Sequence, residues 1–217
     1  MDILPELPPG AFRKPDASPD PLFYGQPRFV THIDDAAIGA VTALYREVLP
    51  AGGRILDLMS SWVSHLPEEV AYAEVIGHGL NAEELAANPR LTRHFVQDLN
   101  ADPRLPLDDA SLDGAGCCVS VQYLQRPLEV LSDLARALRP GAPVAITFSN
   151  RCFPTKAVAV WSALDDAGHV ALVDLYLRRA GFASVEARVL RDGRRSDPLY
   201  AVIGRTADRH EPRLTRP

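Results

Sequence analysis

The sequence predicts a three-layer α/β fold, a mostly parallel sheet with helices on both faces. Three observations carry that expectation. Short apolar runs alternate with segments whose apolar residues recur at helical spacing. One run, residues 114–121, is small and apolar throughout, as a strand buried on both faces should be. The last two apolar runs are joined by a short turn, which implies one antiparallel edge strand.

The elements follow in order. Residues 1–27 hold seven of the nineteen prolines, at 5, 8, 9, 15, 19, 21 and 27. Proline fixes φ and lacks a backbone donor, so neither a regular helix nor a central strand is expected here. We read residues 1–30 as a proline-rich arm, with Phe23 and Tyr24 as anchors. A helix or lid is expected over 31–50. Thr31 precedes Asp34 by three, which resembles a capping box, and Ala37, Val41, Leu44, Tyr45 and Val48 recur at helical spacing. Pro50, Gly52 and Gly53 stop it.

Strands are then expected at 54–59, 73–77, 94–97, 114–121 and 142–149. Helices are expected at 67–72 and at 81–87, where Pro89 ends the pattern. Leu128, Leu131, Leu134, Ala135 and Leu138 form a helical stripe closed by Pro140-Gly141. Helices over 155–165 and 168–180 lead to closing strands at 183–190 and 198–204, around the Asp192-Gly193 turn. Residues 31–207 read as a single domain and 208–217 as a tail.

A chain of 217 residues, 47% of them apolar, can build one full core. The formal charge of −5 and the lack of a long basic run argue against nucleic acid as the main partner. Arg191, Arg194 and Arg195 read as a solvated turn. No apolar run approaches the roughly 20 residues that span a bilayer, and the acidic, proline-rich start does not read as a signal peptide. Three cysteines, with Cys117 and Cys118 adjacent, make a poor disulfide framework, so a cytoplasmic setting is expected. The histidines (32, 65, 78, 94, 169 and 210) lack metal-ligand pairing, and no metal site is expected.

The most informative stretch is Arg54-Ile55-Leu56-Asp57-Leu58-Met59-Ser60-Ser61-Trp62. An apolar strand ends in an acid and opens into a turn of small residues. That puts a carboxylate and a row of amides at the carboxyl edge of the sheet, where such folds bind ligands. Further on stand Val96-Gln97-Asp98-Leu99 and Leu112-Asp113, the latter leading through Cys117-Cys118-Val119-Ser120-Val121-Gln122-Tyr123-Leu124. Last comes Leu134-Ala135-Arg136-Ala137-Leu138-Arg139-Pro140-Gly141. In this order and spacing, over about 50–205, the chain resembles class I S-adenosylmethionine-dependent methyltransferases of the small-molecule, type 11-like group. The resemblance implies a Rossmann-like seven-stranded sheet with its last strand inserted antiparallel.

Two departures stand out. The family's first motif continues with a Gly-x-Gly turn, and here the run is Met59-Ser60-Ser61-Trp62. The family ends its second strand in an acid that grips the ribose, and the matching position here is Gly79. Asn81, whose amide both donates and accepts, is the candidate replacement.

The resemblance implies S-adenosylmethionine as cofactor and a small-molecule methyl acceptor as partner. Methyl transfer from a sulfonium is an in-line displacement, so alignment carries much of the catalysis, and a base is needed only for a protonated nucleophile. By position, Asp57, Met59 and Ser60 would hold the methionine end. Asp98 and the Leu99 amide would hold the adenine, and Val119 would face the amino group. Trp62 could face the sulfonium by cation–π attraction. On the acceptor side, Tyr24 and Arg28 belong to a lid over 24–32. His65 is a candidate base, and Tyr123 and Asn150 follow the fourth and fifth strands.

Two other readings remain. One keeps the fold but loses methyl transfer, because the glycines and the ribose acid are missing. The other is an NAD(P)-binding protein, because Gly77-His78-Gly79-Leu80-Asn81-Ala82 fits G-x-G-x-x-A with Asp98 some 20 residues on.

Overall fold

The computed structural model describes residues 4–208. Residues 1–3 of the arm, and 209–217 with His210 and most of the expected tail, lie outside the described residues.

The strands are β1 (Arg54–Asp57), β2 (Glu74–Gly79), β3 (Arg93–Val96), β4 (Gly114–Cys118), β5 (Pro143–Phe148), β6 (Ser184–Arg191) and β7 (Leu199–Arg205). They form one sheet in the order β3-β2-β1-β4-β5-β7-β6. β1, β2, β3, β4 and β5 pair in parallel, and β7 runs antiparallel to both of its neighbours. The hairpin alone suggested an antiparallel edge strand. Instead β7 is inserted between β5 and β6, and β6 forms the edge. Insertion suits the residues, since β7 is mostly buried while β6 alternates between half-buried and exposed positions.

The helices are α1 (Asp20–Tyr24), α2 (Asp35–Val48), α3 (Ala82–Ala87), α4 (Pro127–Ala137), α5 (Ala159–Ser162) and α6 (Asp166–Arg179). One face of the sheet packs on α2 through Ala37, Val41, Leu44, Tyr45 and Val48. The other packs on α4 and α6, with Leu131, Leu134, Val173 and Leu177 at the centre. β4 is built of small residues because α2 lies close to it. A Cβ at Gly116 would stand 2.7 Å from the Tyr45 Oη, and one at Gly114 would stand 3.1 Å from Leu49.

Four local expectations change. The arm does carry a helix, α1, because Pro21 lies within its first turn, where a missing N–H costs nothing. Thr31 is not the cap of α2. Asp34 is, and its carboxylate accepts the Ala37 N–H at 2.8 Å. Residues 67–72 form turns rather than a helix, and Arg90 ties them down through the Pro67 and Val70 carbonyls. The helix expected over 155–165 shrinks to Ala159–Ser162, because residues 154–157 form a turn closed by the Lys156 and Ala157 N–H groups on the Phe153 carbonyl, and the buried Val158 is extended.

Among the described residues, no helix is long and apolar enough to cross a membrane.

Candidate functional site

Strand order reverses between β1 and β4, and a cavity of about 430 Å³ opens there at the carboxyl edge. That volume lies in the range of small-molecule sites. The loops after β1, β2, β3, β4 and β5 line it, and the arm from Tyr24 to His32 roofs it.

Asp57 ends β1 and is buried. Its Oδ2 accepts the Ser60 hydroxyl at 2.5 Å and also the Ser64 hydroxyl. No protein group donates to its Oδ1 among the described residues. Desolvation outweighs the two serines and pushes its pKa up to about 6. A buried carboxylate with one open oxygen and no cation beside it suits a positively charged ligand group.

The loop after β1 lacks glycine but makes a turn that favours it. Met59 sits at φ 57°, in the left-handed region. His78 of β2 holds it there. Its Nδ1 accepts the Met59 N–H at 3.1 Å, its Nε2 donates to the Gln97 carbonyl at 3.0 Å, and its own carbonyl accepts the Ser60 N–H at 2.6 Å. Burial pulls the imidazole down to about 4, so the ring is neutral, as an Nδ1 acceptor requires. Val119, after β4, is also left-handed at φ 45°, a costly conformation for a β-branched residue. Its N–H is held by the Thr147 carbonyl and its own carbonyl by Gln122. Two strained residues on adjoining cavity loops are the kind of feature that clusters at binding sites.

This path also explains the second departure. A Cβ at Gly79 would stand 2.5 Å from the Ser60 carbonyl oxygen, so an acid there is sterically excluded while the loop keeps its course. Nor is Asn81 free to replace it. Its Oδ1 caps α3 by accepting the Glu83 and Glu84 N–H groups, and its Nδ2 donates to the Tyr24 and Gly25 carbonyls. Asn81 lines the cavity, but its amide is fully engaged.

The dinucleotide fingerprint also has a packing explanation. Gly77 is needed because a Cβ there would meet Leu91 at 2.2 Å, and Gly79 because of Ser60. Glu83 and Glu84 stand in the first turn of α3, where a pyrophosphate would bind.

After β3, Asp98 lines the cavity with one oxygen on the Asn100 N–H at 2.9 Å. The adjoining Leu99 N–H finds no acceptor among the described residues. On the lid side stand Tyr24, Arg28, His65 and Tyr123, all lining the cavity. Burial lowers the pKa of His65, with a smaller contribution from His32. Tyr123 accepts the Phe153 N–H at 2.9 Å.

The structure does not bring Trp62 or Asn150 to the cavity lining. Trp62 donates its indole N–H to the Val30 carbonyl at 3.0 Å and meets Phe29 edge-on, so it pins the lid to the first loop. Asn150 is exposed, and the chain turns in only afterwards, at Arg151, Cys152 and Phe153.

Several contributors escaped the sequence reading. Glu84 accepts the Arg28 N–H at 2.7 Å and the Ser61 hydroxyl at 2.6 Å, joining lid to loop. Asp20 lines the cavity and sits in a buried network with Lys14, Lys156 and Asn100 that clamps the arm. Phe153 packs against Phe23, Tyr24, Tyr123 and His32. No local pattern marks these partners, of which Asp20 and Lys156 lie 136 residues apart.

The open Asp57 oxygen, the free Leu99 amide and the turned backbone at Met59 and Val119 fit an adenosyl amino acid. Residues 58–146 match the family model described as a methyltransferase domain. A comparison with curated proteins finds no match.

Solved structures with this fold are numerous. One is a complex between the Trm112 methyltransferase activator and a putative methyltransferase of Haloferax volcanii (14% identity, 81% of this chain and 92% of that chain, TM-score 0.61). A second is phosphoethanolamine N-methyltransferase 2 of Haemonchus contortus with S-adenosyl-L-methionine (14% identity, 78% of this chain and 52% of that chain, TM-score 0.58). A third is a SAM-dependent methyltransferase of Aquifex aeolicus (19% identity, 79% of this chain and 92% of that chain, TM-score 0.57). The chain therefore has the class I S-adenosylmethionine-dependent methyltransferase fold, and its methyltransferase-domain match supports S-adenosylmethionine as its cofactor.

Proposed function

We propose that the protein transfers a methyl group from S-adenosylmethionine to a small-molecule acceptor bound under the lid. The observation that carries this reading is the single cavity that joins Asp57, Asp98 and Leu99 to the lid residues Tyr24 and Arg28. When bound, S-adenosylmethionine supplies a methyl group activated by positive sulfur. Asp57 would accept from the amino group through Oδ1, with the Met59, Ser60 and Val119 backbone alongside. Asp98 and the Leu99 N–H would hold the adenine.

The lid and the aromatic side chains of Tyr24, Tyr123 and Phe153 exclude water and fix the acceptor, so orientation carries much of the rate. His65 stays neutral at pH 7 and is able to take a proton from an acidic nucleophile, as is His32 beside it. The acceptor is read as small because arm residues from Tyr24 to His32 narrow the cavity of about 430 Å³, and the free thiols of Cys117, Cys118 and Cys152 suit a cytoplasmic setting.

A second reading is a non-methylating S-adenosylmethionine-binding protein. The Ser60 carbonyl at the ribose-acid position supports it, since it changes the cofactor grip. Incubation with methyl-labelled cofactor and a panel of small acceptors separates the two. Label in a small molecule, lost on Asp57→Ala, supports transfer. Cofactor binding by calorimetry with no labelled product across the panel favours the second reading.

A further inference from the structure

The lid side of the cavity carries unmatched hydrogen-bond donors. Arg28 lines the cavity, and among the described residues its guanidinium meets no carboxylate. Its polar contacts are the Phe23 carbonyl at 2.9 Å and the Gln26 carbonyl at 3.4 Å. The Tyr24 hydroxyl is buried and has no hydrogen-bond partner among the described residues. Burial pushes the Tyr24 pKa far up, so it remains a donor at every working pH. The Tyr123 oxygen accepts from Phe153, which leaves its proton free to donate. A buried polar atom left without a hydrogen bond is costly, so an anionic oxygen arriving here would meet donors already in place.

The surroundings are aromatic. Arg28 stands over Phe23 at 4.6 Å, Phe153 at 5.6 Å and Tyr24 at 5.9 Å. Tyr24, Tyr123 and Phe153 contact one another in tilted and edge-on pairs. Such a wall favours a flat ring. The nearby acids are already engaged. Glu84 accepts from the Arg28 N–H and the Ser61 hydroxyl, and Asp20 is held by Lys14, Lys156 and Asn100. The Arg28 guanidinium packs on Phe23, Tyr24 and Phe153 under the lid, whereas the polar partners of Asp57 are Ser60 and Ser64. Arg28 thus belongs to the acceptor end of the cavity and not to the end at Asp57.

We propose that the acceptor is an aromatic carboxylate, its carboxylate held by Arg28 and Tyr24 and its ring lying against Tyr123 and Phe153. This rests on the methyltransferase reading only for the word acceptor. The binding claim stands on the lid residues. Arginine's planar fork suits a carboxylate in two-point contact.

The test is calorimetry on the full chain saturated with S-adenosylhomocysteine, using benzoate as probe, with benzyl alcohol and acetate as controls. Benzoate is expected to bind at least about 10-fold more tightly than either control, as a charge-assisted pair inside a ring site should. Arg28→Gln is expected to weaken benzoate by about 10-fold or more and to leave S-adenosylhomocysteine binding unchanged. Tyr24→Phe is expected to weaken benzoate by a few-fold.

Equal binding of benzoate and benzyl alcohol overturns the proposal. So does a parallel loss of S-adenosylhomocysteine binding in Arg28→Gln, which would assign the guanidinium to the cofactor. If S-adenosylhomocysteine does not bind the native chain, the methyltransferase reading fails. The ratio of benzoate to benzyl alcohol on the protein alone then decides the carboxylate site.

Discussion

The Nδ1 of His78 accepts the backbone N–H of Met59 at 3.1 Å, and this contact lets a glycine-free loop make a left-handed turn over the sheet edge. The same ring reaches the Gln97 carbonyl from its other nitrogen, so one neutral imidazole ties the loops after β1 and β3 to β2. Holding Met59 left-handed costs roughly 1–2 kcal/mol, which the latch must offset. His78→Ala is expected to lower unfolding stability by about 2 kcal/mol and to weaken S-adenosylhomocysteine binding by about 10-fold. His78→Ala combined with Met59→Gly is expected to recover part of the stability, because glycine needs no latch there. Chemical denaturation of the single and double variants reads both effects. An unchanged single variant would remove the latch from the account.

Asp57 and His78 pull stability in opposite directions with pH. The unfolded chain ionises Asp57 near ~3.9, the folded chain only near 6. Between those values the folded state keeps a proton that the unfolded state has lost, so stability falls as pH rises, by up to about 3 kcal/mol. The unfolded chain protonates His78 below ~6.5, the folded chain only below about 4. In that window the unfolded state binds the extra proton, so stability rises with pH. The two slopes largely cancel in the native chain between pH 4 and 6. Asp57→Asn should expose the His78 slope and should raise stability at pH 8 by about 2 kcal/mol, while weakening cofactor binding at least about 10-fold. Denaturant midpoints across pH 4 to 8 check it. A variant less stable than native at pH 8 would contradict the buried, unpaired carboxylate.

Gly79 is a steric requirement. Gly79→Asp adds the acid that the family resemblance implies at this point, yet its Cβ would stand 2.5 Å from the Ser60 carbonyl. The substitution is expected to cost about 2–3 kcal/mol and to weaken S-adenosylhomocysteine binding, since the loop must leave its course. Thermal melts and calorimetry on the variant report the outcome. Tighter cofactor binding at native stability would show that the loop moves freely.

The arm is clamped by buried charge. Lys156 is fully buried, with its ammonium on the Ser18 carbonyl at 2.7 Å, Asp16 at 3.0 Å and Asp20 at 3.4 Å. Lys156→Met leaves two carboxylates short of a partner. It should cost about 3 kcal/mol and should speed proteolytic cleavage of the arm before the core is cut. Cleavage at the native rate would mean the arm is held by its aromatic contacts alone.

The order of strands and helices was legible in the chain because it rests on periodicity. Apolar runs at period two or in unbroken blocks, and stripes at helical spacing, report which faces must leave water. Asp57 could be picked out because it ends an apolar strand, and the carboxyl edge of a parallel sheet gathers such residues, whereas Asp98, Leu99 and Val119 were marked only by the family resemblance. What the chain could not reveal was how those loops complete one another.

Asn81 had the chemistry for a ribose contact, but a helix cap and two lid carbonyls take all of its hydrogen bonds. Gly79 read as a missing acid and proved to be room for the Ser60 carbonyl. Trp62 read as a cofactor wall and serves as a pin for the lid. His78, Glu84, Asp20 and Lys156 carry no local signal, because each acts on residues distant in sequence. The sequence by itself determined the layers, the sheet edge and the acid at the end of β1. Only the tertiary structure decided which polar atoms remained open at that edge, because hydrogen-bond capacity is used up by neighbours that chain order does not reveal.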